Sequence, residues 1–407
     1  MTNGKKRTVC VVTRWLGEPS EVWVWRQLML FSLTQPVVFT WTRKNAADYP
    51  MGDIPVHLAG TPEDPQLGHG RWLWRLRNLV SGNFFGTQGR EKNRIVEVLH
   101  QNQVSAVLCH FGQSALRLLP ACEAADIPIV AHFHGQDISS GLNNRWYRWS
   151  LEKMLPRFAA VVCVGSQQMQ RLRDLGVPAD RLHLIPCGAP SACFPLSRRC
   201  ADPMGTTYIC VSRLVESKGV AHCIGAFALA AEKLAESKLI VVGDGDVRDS
   251  LEALVRELGI SASVHFAGSR TEEEVRSLLK KSDVFLQHSL DHSSGWFEGF
   301  GVAVAEAASI GLPVIVSACG GLVDQVVHGE TGLIIPQKDE AAMADAMVQL
   351  GRDTQLRAWM GDNGRQRTLV NFDTTTQVKK LEQVLLNVIE VHARNRAEYS
   401  LTLKTAK

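Results

Sequence analysis

The chain has 407 residues, of which 45% are hydrophobic and 21% charged, and its formal net charge is +3. A chain of this length is too long for one comfortable hydrophobic core and is expected to fold as two domains. So small a net charge, without a long basic tail, excludes the nucleic-acid-binding class.

The cysteines and the N-terminal residues indicate the cellular compartment in which the protein is expected. The ten cysteines are scattered and include no C-x-x-C pair, and several lie inside apolar runs. We therefore expect reduced thiols in the core of a cytoplasmic protein. The N-terminal residues are basic and then apolar, but this apolar run is too short for a signal peptide and is interrupted by Arg14. No run reaches the length of a membrane span.

The first predicted strand is the short apolar run from Thr8 to Thr13, which is typical of a parallel strand buried on both faces. The loop after it contains Gly17, and Ser20 is a suitable N-cap for the helix that follows. Strand, glycine-bearing loop and helix together indicate a mononucleotide-binding fold, in which ligands collect beyond the carboxyl ends of the strands.

Further apolar runs alternate with helix-compatible segments in the first half of the chain. They lie at residues 36–41, 104–109, 127–131 and 159–164. This alternation predicts an α/β fold with a parallel sheet. Residues 187–203 then mix Pro, Ser, Arg and Cys between two patterned regions, and predict the linker between two domains.

A histidine-containing loop, HFHGQD, runs from His132 to Asp137 after the predicted strand at 127–131. The pair His132-x-His134 could bind a metal. However, no third ligand is near in sequence, and the two rings are expected on opposite faces of the strand, so we predict no metal here. For His134, a purely structural role stays open as the alternative to a role in a ligand site.

The second half contains two cations, Arg213 and Lys218, in the run SRLVESKG between a predicted strand and a predicted helix. At such a turn both cations can converge on one diphosphate. The alternative is a pair of solvated surface charges.

A possible D-x-D motif, Asp244-x-Asp246, follows the strand predicted at residues 239–242. This pattern is common by chance and could be mistaken for a metal site. We interpret the stretch as a turn, with Asp246 as the N-cap of the next helix.

The most informative stretch is WFEGFGVAVAEAASIGLP at residues 296–313. Gly299 and Gly301 predict a loop, and an alanine-rich helix follows from about Val302. The free N–H groups and the positive dipole end of that helix make an anion site that suits a phosphate. Burying Glu306 among alanines is costly unless hydrogen-bond donors contact its carboxylate, and the hydroxyls of a ribose diol are such donors. A structural glutamate paired with a lysine is the alternative.

These motifs resemble those of a known family. The glutamates Glu298 and Glu306, with EGFG in front and GLPVI behind, resemble the signature of the retaining glycosyltransferases of family 4, which have the GT-B fold. The run SRLVESKG is similar to the family's G-R-L-x-x-x-K-G, and IPCG is similar to V-I-P-N-G-V with Cys187 in place of asparagine. Many relatives have a Gly-Gly pair where this chain has Gly17 alone, and this loop is more similar to members that build exopolysaccharide repeat units. The similarity covers most of the chain.

The resemblance implies a domain plan and a set of site residues. It implies two facing Rossmann-like domains with a cleft between them: an acceptor-binding domain at residues 1–190 and a donor-binding domain at 191–373. A C-terminal helix and tail, residues 374–407, would cross back to the first domain. The implied catalytic residues are His134, Arg213, Lys218 and Glu298. The implied donor-binding residues are Gly17, Asp137, Gly243, Ser269, Arg270, Gly299, Phe300, Gly301, Val302 and Glu306.

The same resemblance implies the reaction. A hexosyl group would pass from a UDP- or GDP-linked sugar to a hydroxyl of a glycan or lipid-linked glycan in polysaccharide or exopolysaccharide biosynthesis, with retention at the anomeric carbon. Arg213, Lys218 and the helix start would stabilise the departing diphosphate, so that no metal and no cofactor is required. Two other functions stay open: a catalytically silent nucleotide-sugar-binding regulatory subunit, and a nucleotide-sugar epimerase of the same fold.

Tryptophan is distributed unevenly, since eight of the ten lie in the first 150 residues. The segments 69–80 and 143–158 mix tryptophan with arginine, which suits an anionic membrane surface. Packing in the core is the alternative, because Trp72, Leu76 and Leu79 share one helical face. The expected location is the cytoplasm. If the tryptophan- and arginine-rich segments bind a membrane surface, peripheral association at the inner face of the plasma membrane is expected as well.

Overall fold

A computed structural model describes residues 6–59, 71–196, 205–234 and 236–405, with only the backbone described for residues 71–75, 401 and 403–405. The chain divides into two compact units. Unit 1 comprises Met1–Ile185 and Thr375–Lys407, and unit 2 comprises Pro186–Thr374. The linker predicted at 187–203 is described only as far as residue 196.

Unit 1 is built on one parallel sheet. Its elements, in chain order, are β1 (Thr8–Leu16), α1 (Val22–Met29), β2 (Gln35–Arg43), β3 (Val56–Leu58), α2 (Arg71–Ser81), α3 (Gly89–Gln101), β4 (Val104–His110), α4 (Gly112–Ala124), β5 (Ile129–Phe133), α5 (Arg145–Met154), β6 (Ala160–Cys163), α6 (Ser166–Asp174) and β7 (Leu182–Leu184). Within the described segments its seven strands run in the order β3-β2-β1-β4-β5-β6-β7, and all neighbouring pairs are parallel. The prediction of an α/β fold with a parallel sheet is confirmed for this half.

The apolar runs of unit 1 form strands because both of their faces are covered. Val107 of β4 and Phe133 of β5 pack in one buried cluster with Leu116 and Leu119 of α4 and Leu151 of α5. Burying side chains of this size stabilises a fold by about 1.5–3 kcal/mol each. Continuous apolar strands are therefore stable here, where a strand with one wet face would alternate.

Unit 2 repeats this plan. Its elements are β8 (Thr207–Val211), α7 (Val220–Ala231), β9 (Lys238–Val242), α8 (Arg248–Glu257), β10 (Val264–Gly268), α9 (Glu272–Lys280), β11 (Val284–Gln287), α10 (Val302–Ile310), β12 (Val314–Ser317), α11 (Leu322–Gln325), β13 (Gly332–Ile335), α12 (Glu340–Arg352) and α13 (Thr354–Asn371). In the part of unit 2 that the structure describes, six parallel strands run in the order β10-β9-β8-β11-β12-β13.

Each sheet has a point where its strand order reverses. In unit 1 the chain fills positions on one side of β1 and then returns to place β4 on the other side, and in unit 2 β8 and β11 are related in the same way. Ligands of such folds bind beyond the carboxyl ends of the strands at this switch point. The loops that follow β1 and β4, and those that follow β8 and β11, are therefore the places to look for a site.

The last helix, α14 (Thr374–Thr405), lies in the segment 374–407 to which the resemblance gives a C-terminal helix and tail, and it belongs mainly to unit 1. Its buried Glu382 accepts hydrogen bonds from the backbone N–H groups of Ser32, Leu33 and Thr34 at 2.7 to 3.1 Å. Charge-assisted bonds of this kind are roughly twice as strong as neutral ones, so they fix α14 on the α1–β2 loop. No helix in the described segments combines the length and hydropathy that a membrane crossing needs.

Two predicted helix caps are wrong. Ser20 lies inside a 3-10 turn, Pro19–Glu21, and α1 begins only at Val22 without a side-chain cap. Asp246 lies outside the cap position of α8, which Val247 occupies, again without a side-chain cap. In both places a tight backbone turn leads into the helix and replaces the side-chain acceptor. At α8 the N–H of Arg248 donates to the carbonyl of Gly245 at 3.1 Å.

Among the described cysteines, the free thiols are Cys10, Cys109, Cys122, Cys193, Cys210, Cys223 and Cys319. Seven of those described are buried, as the apolar runs predicted, whereas Cys187 is partly exposed and Cys193 is exposed. These two lie in the segment that follows β7.

Candidate functional site

Two predicted site residues of unit 2, Lys218 and Glu298, form an ion pair between Nζ and Oε2. Lys218 ends the 3-10 turn Glu216–Lys218 between β8 and α7, and Glu298 lies in the loop between β11 and α10. Their side chains are only 15% and 9% exposed. The two motifs recognised in the sequence therefore meet at the switch point of unit 2.

Glu298 is held by further donors. The Gln287 amide donates to its Oε2 at 3.1 Å and the Ser289 hydroxyl donates to the same oxygen at 2.9 Å. Burial alone would raise the pKa of Glu298, but the charge and hydrogen bond of Lys218, with smaller contributions from Ser289 and Arg213, bring this pKa below its ordinary value. Glu298 is thus a buried carboxylate kept ionised by its neighbours.

Three residues of this site were missed in the sequence. Gln287 and Ser289 hold Glu298, and the ring of Trp296 lies 5.5 Å from the Lys218 ammonium in a cation–π contact. Gln287 is the last residue of β11, so the strand-end rule could have found it and Ser289. Which strand lies beside β8, however, is not visible in a sequence.

Two glycines bring the loops of the site close together. Gly219 has φ +58° and a Cβ there would collide with the carbonyl oxygen of His288. Gly320 has φ +50° and a Cβ there would collide with the carbonyl oxygen of Glu298. Only glycine permits this backbone conformation together with such close approach. The loops after β8, β11 and β12 therefore pack backbone against backbone.

The start of α10 is the predicted anion site. Gly301 has φ +80° at the position before the helix, and the Gln325 amide donates to the carbonyls of Phe300 and Gly301. Phe300 is buried, with its ring centroid 5.6 Å from that of Phe372. The Phe300 side chain thus anchors the loop, while α10 presents its first N–H groups from Val302 onward.

Three other residues of unit 2 that were predicted to bind the donor lie on α10 or next to the loops at the switch point. Glu306 lies on α10 and is 7% exposed, and Gly299 packs against the backbone of Gly321. Gly243 follows β9 and packs on the backbone of Ser212 after β8.

Ser269 and Arg270 are farther away. They follow β10, which β9 separates from β8, and both are exposed. Arg270 pairs with Glu274 at 3.0 Å on the surface. The structure therefore brings Gly243, but not Ser269 and Arg270, next to the β8 loop.

The D-x-D sequence forms a turn. Asp244 accepts a hydrogen bond from the N–H of Gly245 at 2.8 Å and lies 3.4 Å from the Arg248 guanidinium. Asp246 is exposed. The interpretation of this stretch as a turn agrees with the hydrogen bonds, although the cap role given to Asp246 does not.

In unit 1, Asp137 holds the loop that carries His134. Its carboxylate is 1% exposed and accepts backbone N–H bonds from Gly112, His134 and Gly135, each at 3.0 Å. Burial raises the pKa of Asp137, and these N–H groups offset part of the rise. Asp137 therefore positions His134 through the backbone. Gly17 follows β1, which β4 separates from β5, so the sheet does not place it beside His134.

The expectation that the rings of His132 and His134 point to opposite faces is wrong. Residues two apart in a strand point to the same face, and these ring centroids are 4.1 Å apart. A third histidine, His110 at the end of β4, lies beside them and was missed because it is distant in sequence. Trp23 of α1 was missed too, and its ring centroid lies 4.0 Å from that of His134.

The tryptophan- and arginine-rich segments lie largely on α2 and α5. Leu76 is 50%, Leu79 42% and Val80 82% exposed, so the core interpretation is wrong for the two leucines. The side chain of Trp72 lies outside the described residues. Trp146 of α5 is 36% exposed and stacks on Phe84, with ring centroids 5.0 Å apart.

The fold and both halves of the sequence match known proteins. The Anabaena protein HepE, solved in complex with UDP and glucose, superposes with a TM-score of 0.74 at 18% identity and covers 94% of this chain and 100% of its own. The profile of Glycosyltransferase Family 4 matches residues 52–191, and that of Glycosyl transferases group 1 matches residues 201–367.

Two relatives extend this match to sequence. The amylovoran biosynthesis glycosyltransferase AmsK of Erwinia amylovora is 26% identical over 60% of this chain, and the match spans 61% of its own length. A GDP-mannose-dependent alpha-(1-6)-phosphatidylinositol monomannoside mannosyltransferase of Mycolicibacterium smegmatis is 30% identical over 63% of this chain and 69% of its own length.

Two Rossmann-like units, each with its loops gathered at the carboxyl ends of a parallel sheet, define the GT-B class of glycosyltransferase fold. The chain belongs to the group 1, or family 4, glycosyltransferases. The family and the GT-B fold noted from the sequence are thereby confirmed.

Proposed function

We propose that the chain transfers a sugar from a UDP- or GDP-linked donor to an acceptor hydroxyl, with retention at the anomeric carbon and without a metal ion in the transfer step. The observation that carries this proposal is the buried Lys218–Glu298 pair at the switch point of unit 2. It places a cation, a carboxylate and the first turn of α10 together, as a nucleotide-diphosphate sugar requires.

The leaving diphosphate is the main chemical difficulty. Negative charge grows on it as the bond to the sugar breaks, and preorganised donors in a partly dry site stabilise such charge most. The donors we assign are Lys218, Arg213 and the N–H groups in the first turn of α10, which begins at Val302. Metal independence is supported by Asp244, whose carboxylate is already engaged by Gly245 and Arg248.

The remaining roles concern the sugar and the ribose. We assign Glu298 to donor-sugar hydroxyls, because its second oxygen can accept while Oε2 is held by Gln287 and Ser289. Glu306, 7% exposed on α10, is assigned to the ribose diol. His134 is assigned to orient the donor sugar.

The acceptor is proposed to be a glycan or a lipid-linked glycan in polysaccharide biosynthesis. AmsK serves amylovoran biosynthesis and the mycobacterial relative acts on a phosphatidylinositol mannoside, as their names state. The names of that relative and of the HepE complex supply the two donor classes, GDP-linked and UDP-linked.

We further propose that unit 1 binds the anionic inner face of the membrane peripherally through α2 and α5. The exposed apolar side chains Leu76, Leu79, Val80 and Trp146 suit the headgroup boundary, and exposed Arg77 and Arg145 suit lipid phosphates. A lipid-linked acceptor would be reached from that position.

The first test is a donor screen. UDP- and GDP-sugars are added to the purified full-length chain, and the donor that binds should raise the melting temperature by mass action. That donor is then incubated with glycan acceptors, with and without EDTA, and the product is analysed by NMR. We expect the anomeric configuration of the donor to be kept and the rate to survive EDTA.

Each other outcome has a definite meaning. An epimer formed from the donor alone would identify an epimerase, and binding without transfer or slow donor hydrolysis would identify a silent regulatory subunit. Inverted product would contradict retention. Loss of rate in EDTA with rescue by Mn²⁺ would return Asp244 and Asp246 to consideration as ligands.

A further inference from the structure

Three histidines of unit 1 lie together at the carboxyl ends of β4 and β5. His110 is the last residue of β4 and pairs in register with His132 of β5, and His134 follows β5 directly. One ring nitrogen of each lies within 4.8 Å of the others. We name these three residues the histidine cluster.

Three ring nitrogens of His110 and His132 have no hydrogen-bond partner in the described part of the chain. Nδ1 of His110 and Nε2 of His134 are 3.0 Å apart, so one donates and the other accepts. Nε2 of His110 and both ring nitrogens of His132 are buried and make no hydrogen bond with any described residue. An unsatisfied buried polar group destabilises a fold, and native proteins keep such groups mainly where water, an ion or a function satisfies them.

The three imidazoles are held in the neutral form that binds metals. Burial lowers the pKa of His110 to about 3. Burial, then the neighbouring histidines, lower those of His132 and His134 as well. The Ile185 backbone raises the pKa of His132 and so offsets part of this lowering. Its geometry does not meet the criteria for a hydrogen bond to either ring nitrogen.

The surroundings favour a transition metal over a hard cation. The ligand atoms are imidazole nitrogens, which suit Zn²⁺, Cu²⁺ and Ni²⁺, whereas Mg²⁺ and Ca²⁺ need oxygens. The rings of Trp23 and Phe111 lie 4.0 and 5.0 Å from that of His134 and form an apolar rim. His134 itself is only partly buried, which leaves a route for an ion to enter.

We propose that His110, His132 and His134 form a binding site for one divalent transition-metal ion, with the fourth position open to solvent. Two nitrogens bound tetrahedrally at about 2.0–2.1 Å from zinc are roughly 3.3 Å apart, close to the present separation between His110 and His134. The third ring must rotate to close the distance. No hydrogen bond of His132 has to break for this, because among the described residues it makes none.

Metal binding would have a consequence for transfer. The His134 ring, when bound to a metal, is withdrawn from the donor sugar, so the ion should act as an inhibitor of turnover. This consequence rests on the proposed function, whereas the metal site does not.

The test uses the full-length chain after removal of metals by chelation. Zn²⁺ is titrated in competition with a chromophoric zinc indicator, and we expect one ion bound per chain. X-ray absorption of the zinc-loaded wild-type chain should show a shell of three imidazole nitrogens. The variants His110→Gln and His132→Gln should each lose at least the roughly 10–100-fold in affinity that follows loss of an outer partner of a metal site. The matched control His100→Gln, an exposed histidine on α3, should bind like wild type.

Three results would overturn the site: no zinc retained against the indicator, a sulfur shell that points to exposed Cys193, or equal loss of affinity in His100→Gln. If a cluster variant does not fold, the absorption spectrum of the wild-type chain still decides. Zinc bound by three nitrogens without any change in transfer would keep the site and refute the role of His134 in the proposed function. Absence of transfer with every donor would refute the proposed function and leave the spectrum unaffected.

Discussion

Replacing Lys218 by methionine should destabilise unit 2 at neutral pH, because it leaves the carboxylate of Glu298 buried without its cation. Removing one partner of a buried ion pair costs about 3–5 kcal/mol. Here Glu298 keeps its bonds from Gln287 and Ser289, so we expect a smaller loss of about 2–3 kcal/mol. Methionine keeps a similar chain length, so the change isolates the charge.

The loss should depend on pH in a defined direction. In the wild-type chain the pKa of Glu298 lies below its ordinary value of 4.5. Such a carboxyl stabilises the fold above its unfolded pKa and loses this contribution as pH falls through the folded one. In Lys218→Met, burial still raises the pKa of Glu298, and mainly Ser289 and Arg213 are left to lower it. We therefore expect the pKa of Glu298 in this variant to rise above 4.5. The destabilisation is then full above this raised pKa and shrinks as pH falls through it.

Thermal unfolding of the ligand-free chain at about pH 7.5 and about pH 5 measures both effects. For a unit the size of Pro186–Thr374, 1 kcal/mol corresponds to about 2–4 °C, so the expected drop at the higher pH is about 4–12 °C. The matched control is Lys233→Met, whose ammonium lies 3.3 Å from Asp345 in an exposed pair and should contribute less than about 1 kcal/mol. The double variant Lys218→Met/Glu298→Gln should recover most of the loss, since no buried charge remains.

Two results would refute this reasoning. A drop that is the same at both pH values would show that protonation of Glu298 plays no part. A drop no larger than that of Lys233→Met would show that the pair at the switch point behaves as a surface pair despite its burial.

Three further predictions follow from the assigned roles. Glu306→Ala should weaken UDP or GDP binding by about 1.5–3 kcal/mol in titration calorimetry, because a charge-assisted contact to ribose is lost, and unchanged affinity would remove Glu306 from the site. Binding of the UDP- or GDP-sugar near pH 5, where its diphosphate diester does not titrate, should take up protons, because Lys218 turns to the phosphates and the pKa of Glu298 rises from its lowered value. Calorimetry in two buffers of different ionisation enthalpy measures this uptake, and proton release would contradict it. Arg77→Gln/Arg145→Gln should weaken binding to anionic liposomes by about 2 kcal/mol, or about 30-fold, at low salt, with Arg173→Gln as control. Equal recovery of the wild-type chain in the supernatant with anionic and neutral liposomes would favour a soluble acceptor.

Much of the fold was predictable because its strands are buried on both faces. The apolar runs at 8–13 and 104–109 correspond to β1 and β4, and only their ends differ. Short edge strands such as β3 (Val56–Leu58) and β7 (Leu182–Leu184) were missed, since three residues, of which one is exposed in each strand, give no clear pattern. The caps at Ser20 and Asp246 failed because a backbone turn can start a helix without a side-chain acceptor.

The site was predictable where its chemistry is local in sequence. The run SRLVESKG and the Gly-rich stretch at 298–301 each carry a motif that can be read alone. The histidine cluster could not be found in this way, because His110 and His132 become neighbours only through the pairing of β4 with β5. Likewise, Lys218 meets Glu298 only because β8, which precedes Lys218, lies beside β11, which precedes Glu298.

The ion pair also bears on how Lys218 would act in the proposed reaction. In the ligand-free chain its ammonium already has a carboxylate partner and is only 15% exposed, so it has little water left to lose. A ground-state diphosphate must compete with Glu298 for this cation, and the net gain in affinity is small. As the bond to the sugar breaks, negative charge grows on the diphosphate but not on Glu298. The attraction of Lys218 to the leaving group therefore increases relative to its attraction to Glu298. An interaction that strengthens only in the transition state raises turnover more than affinity. The buried pair thus suits Lys218 to leaving-group stabilisation better than to tight binding of the donor.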